Sequence, residues 1–201
     1  MSNPPNDFRK DIYGSKIYTI KGRPFQSRKF DIIDASDQSI LYARPRRIIS
    51  SATGIFSTRD GNQELVFFKD ISSARDVYIK KKATSEFRDG LTKELIGMLR
   101  TEGLENIDGP TIHILNYQGQ TTGVVEGRST PGIRSGGKPS VDIYTGTMNS
   151  CKVFELKVNL KLPGFEMQAD FSMDEQGELD RRFGLALAVF FAGVARTIDN
   201  D

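Results

Sequence analysis

Residues 183–195, FGLALAVFFAGVA, form an uncharged run in a chain that otherwise reads as short, polar, alternating segments. A helix that is apolar on every side has no face to present to water, so protein or lipid must enclose it. At ~1.5 Å rise per residue the run spans about 20 Å, short of the ~30 Å hydrocarbon core that a membrane-crossing helix has to traverse. Enclosure by a sheet wrapped around the helix is the remaining soluble solution. The run therefore speaks to architecture before it speaks to chemistry.

The strand pattern supplies the wrapping. In residues 152–162, Phe154, Leu156, Val158, Leu160 and Leu162 alternate with Val153, Glu155, Lys157, Asn159 and Lys161, which puts one face in a core and the other in water. Pro163-Gly164 breaks the run, and Phe165, Met167, Ala169 and Phe171 resume the alternation, a hairpin signal. Residues 16–21, 29–34, 39–44, 54–58, 64–69, 76–81, 111–116 and 122–128 repeat the scheme less cleanly. Turn chemistry at residues 34–38, Asp60-Gly61-Asn62 and Gln118-Gly119 joins most of them. Residues 94–100, ELIGMLR, fit a helix and a strand equally. Residues 127–140, rich in Gly, Ser and Pro, read as a flexible surface loop. After Gly177, Asp180 is placed to cap a helix that starts at Arg181.

At 201 residues the chain suits one large β domain, expected over residues 15–201, with residues 1–14 as a flexible tail. The 28 basic and 26 acidic residues nearly cancel, which argues against a dedicated nucleic-acid binder and leaves electrostatic function to local clusters. One cysteine, Cys151, permits no internal disulfide and no multi-thiolate metal site. The start of the chain lacks an apolar signal core, so the expectation is a cytoplasmic protein, with peripheral membrane contact open to it.

Two stretches carry a family likeness: the ending LDRRFGLALAVFFAGVA, and the strand, Asp-containing turn and strand FDIIDASDQSILYARPRR of residues 30–47. With the succession of short hairpins before the final helix, the chain resembles the tubby C-terminal-like superfamily, which includes phospholipid scramblases and the plant LURP-one-related proteins. The resemblance covers about residues 16–198. It implies a mainly β fold, a closed antiparallel barrel of about twelve strands around a hydrophobic C-terminal helix, the kind of closure that removes sheet edges.

Tubby domains bind membranes through phosphoinositides, so the resemblance directs attention to basic clusters. Arg44, Arg46 and Arg47 form one, and Lys80, Lys81 and Lys82 a second; both are candidates for a lipid headgroup site. Arg181 and Arg182 fit better as a cap on the barrel mouth. Asp170, Asp174, Glu175, Glu178 and Asp180 lie where scramblases carry a proposed calcium-binding segment, which makes Asp170, Asp174 and Glu178 weak calcium candidates. Counted from Asp170 as an EF-hand loop, the sixth position is Glu175 instead of Gly and the twelfth is Arg181 instead of Glu. Capping and turn roles suit these residues better than a metal. The scramblases' Pro-rich N-terminal region and palmitoylated cysteines have no counterpart here.

His113 is the only histidine, in the apolar context TIHIL, and reads as a structural strand residue. A Cys151–His113 pair would need two distant strands to meet, and no Gly-x-Ser-x-Gly elbow, Walker loop, zinc spacing or Rossmann fingerprint occurs. The sequence thus leads to a non-enzymatic binding module without cofactor, recognising phosphoinositide or other anionic lipid through basic turns. The alternative is a regulatory scaffold of the LURP-one-related type that contacts a protein partner through residues 127–140. In neither case is nucleic acid a partner or a transmembrane segment present.

Overall fold

Short strands bounded by turn residues bury one face each but leave two unpaired edges, and an antiparallel series removes both edges only by closing on itself. The computed structural model describes residues 12–23, 29–46, 52–58, 63–71, 82–102, 111–128, 143–161 and 164–198. Among them are β1 (Ile17–Gly22), β2 (Phe30–Ile33), β3 (Ser39–Pro45), β4 (Thr53–Ser57), β5 (Glu64–Asp70) and β6 (Lys82–Asp89). There follow β7 (Leu95–Glu102), β8 (Thr111–Leu115), β9 (Thr121–Arg128), β10 (Ile143–Met148), β11 (Cys151–Lys161), β12 (Gly164–Asp170) and helix α1 (Arg181–Ile198). Each strand pairs antiparallel with its neighbours in sequence, and β1 closes the barrel against β12, with Ile17 opposite Asp170 and Lys21 opposite Glu166.

The turn residues do what their chemistry allows. Asp34 Oδ1 accepts the backbone N–H groups of Ser36 at 2.9 Å and Gln38 at 3.1 Å, and Asn116 Oδ1 accepts those of Gln118 at 2.9 Å and Gln120 at 3.0 Å. Gly119 sits at φ 78°, in the left-handed region. The expected Asp60-Gly61-Asn62 turn lies outside the described residues.

Helix α1 enters the barrel as the uncharged run requires. Asp180 caps it: its Oδ1 accepts the Arg182 N–H at 2.9 Å, and its carbonyl accepts the Gly184 N–H at 2.9 Å. Phe183, Leu185, Ala186, Leu187, Ala188, Val189, Phe191 and Ala192 are all buried. Helix rings meet wall rings edge-on or tilted: Phe183 lies 5.0 Å from Phe87, Phe190 5.8 Å from Phe68, and Phe191 4.5 Å from Tyr144, centroid to centroid.

Several local expectations change. Residues 94–100 resolve as strand, within β7. Two strands were not foreseen, β6 and β10, and residues 76–81, expected as a strand, lie outside the described residues. Gly127 and Arg128 belong to β9 and not to a loop, while residues 129–140 lie outside the described residues. Val153, expected to face water, is buried because a bulge in the β10–β11 ladder, which steps from Gly146 opposite Phe154 to Thr147 opposite Lys152, leaves it as the extra residue and turns it inward.

Two glycines mark where the interior is tightest. A Cβ on Gly97 would lie 2.7 Å from the Phe183 ring and one on Gly146 2.0 Å from the Phe154 ring. Gly97→Ala is therefore expected to lower stability by about 1–3 kcal/mol through overpacking, read as a lower urea midpoint. Gly193→Ala, whose added methyl meets nothing within 4 Å, is expected to raise stability by up to about 1 kcal/mol through helix propensity, and a matching loss at both positions would refute this account of the packing.

Candidate functional site

The barrel interior is occupied by α1, and its mouth is closed by charge. Arg182 forks onto Asp180, with Nη2 to Oδ2 at 2.6 Å, and Nη1 reaches the fully buried Asp89 at 2.7 Å. Asp89 Oδ1 in turn accepts the N–H groups of Leu91 at 2.8 Å and Thr92 at 3.0 Å, so one carboxylate joins the β6–β7 turn to the start of the helix. The hydrogen bonds it donates to Asp180, and secondarily the charge of Asp180 and its contact with Asp89, hold the Arg182 guanidinium protonated against the opposing effect of burial. Arg181 lies over the Phe171 ring at 4.9 Å. Both arginines therefore sit at the mouth as expected. Beside them, burial pushes the Tyr18 phenol up to about 12, and its hydroxyl donates to the Ile12 carbonyl at 2.7 Å.

The acidic segment before the helix is engaged by its own backbone. Asp170 Oδ1 accepts the Ser172 N–H at 2.8 Å, Asp174 Oδ1 accepts the Glu178 N–H at 2.9 Å, and Glu178 accepts the Asn149 side-chain amide at 2.5 Å. The structure does not bring Asp170, Asp174 and Glu178 together: among the described residues no three His, Cys, Asp or Glu side chains converge on a point that could hold a metal ion. Glu175 is exposed.

His113 is half-buried on β8, and its Nδ1 has no hydrogen-bond partner among the described residues. Cys151 is exposed at the start of β11. Strands β9 and β10 stand between them, and at ~4.8 Å per strand the two side chains are about 14 Å apart, too far to act as a nucleophile and base.

The first basic cluster takes an unexpected form on the outer faces of β3, β4 and β5. Tyr42 and Phe56, opposite each other across β3 and β4, stack at 5.4 Å, and Phe67 follows on β5. Although they point outward, Phe56 is only 7 % and Phe67 only 5 % exposed. Cations cover them. The Arg44 guanidinium lies 4.6 Å from the Phe56 centroid and 5.8 Å from that of Tyr42, Arg46 lies 4.1 Å over Phe67, and Lys93 lies 5.3 Å from the same ring. Glu64 binds Arg46 at 2.8 Å and Lys93 at 3.4 Å. Arg44 is exposed and has no carboxylate partner among the described residues. Across the ladder from Phe67, Arg88 chelates Glu86, and Lys69 completes a three-membered network at 3.0 Å.

The second cluster is represented by Lys82, which pairs with Glu102 at 3.2 Å; Arg47, Lys80 and Lys81 lie outside the described residues. The strand ends that flank both clusters, Pro45 with Thr53 and Asp70 with Lys82, lie at the same end of the barrel, because β3 to β6 form successive antiparallel hairpins. Sequence reasoning missed Tyr42, Phe56, Phe67, Glu64 and Lys93 as parts of a site. Period-two alternation already showed the first three on one face or the other, but not that the outward face would be aromatic and roofed by cations.

No family model matches the chain, and no curated protein does. Among solved structures it is similar to the X-ray structure of the Arabidopsis thaliana protein AT5G01750, with a TM-score of 0.52 at 7% identity over 90% of this chain and 93% of that one. That likeness is one of fold alone.

Glu86 offers a pH test of the outer network. Hydrogen bonds from Arg88 hold its carboxyl below the usual range despite the opposing effect of burial, with Lys69 adding to the effect. A carboxyl depressed in the folded state stabilises the fold above its unfolded value and ceases to do so as pH falls through the folded one. Glu86→Gln is therefore expected to cost about 1 kcal/mol at pH ~7 and progressively less toward pH ~3, as followed by urea midpoints. A gap that stays constant with pH would contradict this network.

Proposed function

We propose that the protein is a non-enzymatic binding module, related to the tubby-like and LURP-one-related barrels, that engages phosphoinositide or other anionic lipid at a cytoplasmic membrane face. The observation that supports this reading is topological. The β3–β4 and β5–β6 connections, which carry Arg47 and Lys80 with Lys81, leave and rejoin the barrel at one end, flanked there by Pro45 and Lys82. Cations gathered at one end of a rigid barrel suit a flat anionic surface, since several can meet phosphate groups at once without bending the scaffold. An interior filled by α1 adds to this reading by directing ligand recognition outward. Among the described residues no helix is long and apolar enough to cross a membrane, so such contact would be peripheral to any helix described here.

Co-sedimentation with phosphatidylcholine vesicles, with and without a phosphoinositide or phosphatidylserine, tests the proposal. At ~1 kcal/mol per cation, replacing Arg47, Lys80, Lys81 and Lys82 together by Ala is expected to weaken partitioning into anionic vesicles by a factor on the order of several hundred. Binding should also fall as salt rises. Partitioning indifferent to anionic lipid, or unchanged in the fourfold variant, would sink the idea.

A further inference from the structure

The roofed aromatic wall of β3, β4 and β5 is separate from the end of the barrel and asks for its own explanation. A barrel needs inward-facing rings; Tyr42, Phe56 and Phe67 face outward, where Phe56 and Phe67 reach near-complete burial only beneath Arg44, Arg46 and Lys93. The carboxylates on this face are taken by other cations, Asp31 by Arg23, Glu86 by Arg88 and Lys69, and Glu64 by Arg46 and Lys93, which leaves Arg44 without an acidic partner among the described residues. A guanidinium held over a ring face is weakly hydrated, has lost much of its conformational freedom before any partner arrives, and still carries N–H donors that the ring does not use.

We infer that this wall is a docking surface for an acidic peptide segment of a protein partner, with one carboxylate on Arg44 and a second on Lys93, to either side of Glu64. Charge complementarity argues for an anionic occupant. Glu64, standing among the cations, argues for discrete, spaced carboxylates over a continuous sheet of lipid phosphate, which it would repel. Closure of the barrel leaves no strand edge for a peptide to extend, so recognition must run through side chains, and Tyr, Phe and Arg are the residue types that dominate such contacts. This surface uses neither Arg47 nor the lysines of the β5–β6 connection, so it stands or falls independently of the lipid reading.

The test is NMR titration of the 15N-labelled full chain with a peptide of alternating Glu and Ala, and with its Lys and Ala counterpart as control. Saturable shifts confined to residues 42–44, 53–56, 67 and 93 are expected with the acidic peptide only. The Arg44→Ala, Lys93→Ala double variant should weaken binding about tenfold or more, while Lys157→Ala, on β11, leaves it unchanged. Lys93→Glu alone, at a side chain 54 % exposed, provides a variant that folds if the double one does not, and should weaken binding in the same direction. Shifts absent from these positions, equal response to both peptides, or wild-type affinity in the variants would overturn the proposal. So would anionic vesicles shifting the same resonances while the peptide does not, which would give the wall to the membrane.

Discussion

Twelve strands in a closed ring enclose more space than their own side chains fill, and the protein's structure depends on how that space is taken up. Helix α1 takes it up, with its rings set against rings of the wall. Gly97 of the wall gives way to Phe183 of the helix, and Gly146 to Phe154 of the neighbouring strand, so the pieces are fitted to each other by volume. Helix entry is fixed by polar contacts: Asp180 as cap, and Arg182 bridging to a carboxylate that the β6–β7 turn has fully buried. Loss of the Arg182 guanidinium would take from the fully buried Asp89 its cationic partner at 2.7 Å, and a buried carboxylate is costly to leave uncompensated.

With the interior filled by α1, the surfaces proposed for binding lie on the outside, in two distinct regions. One is the barrel end at which β3 and β5 finish and β4 and β6 begin. The other is the wall, where the Arg44, Arg46 and Lys93 stems shield rings from water while their charged heads stay accessible. The pairings also separate cations held in structural networks, such as Arg88 with Glu86, from those with capacity to spare, such as Arg44. Lysine and arginine counts cannot make that separation.

How much of this could be read from the sequence differs from element to element. The helix and its Asp180 cap were legible because an uncharged run and a capping residue are local signals. The β11–β12 hairpin was legible because its alternation is unbroken. Strand β7 was ambiguous and β10 was missed for one shared reason: an inward position held by glycine removes the apolar residue that alternation relies on, and the missing volume is supplied by a ring on another element. Strand β6 was missed because Ser85, Glu86 and Asp89 are buried polar residues, and Glu86 and Asp89 find cationic partners, Lys69 and Arg182, that are far away in sequence. The aromatic wall stayed hidden for a similar reason. Glu64 and Lys93 join it only through tertiary approach.

The register of β1 against β12 has a consequence in time as well as in space. Every other pairing joins strands adjacent in sequence and can form as soon as its hairpin exists, whereas Ile17 meets Asp170 only after nearly the whole chain is available. Until then a growing sheet has two open edges and an unfilled concave face, and α1, the last element, is also the one that covers that face. Closure and filling thus both wait on contacts of high contact order, and a chain that has β1 to β11 without β12 and α1 leaves open edges and an uncovered apolar face of the kind that aggregates.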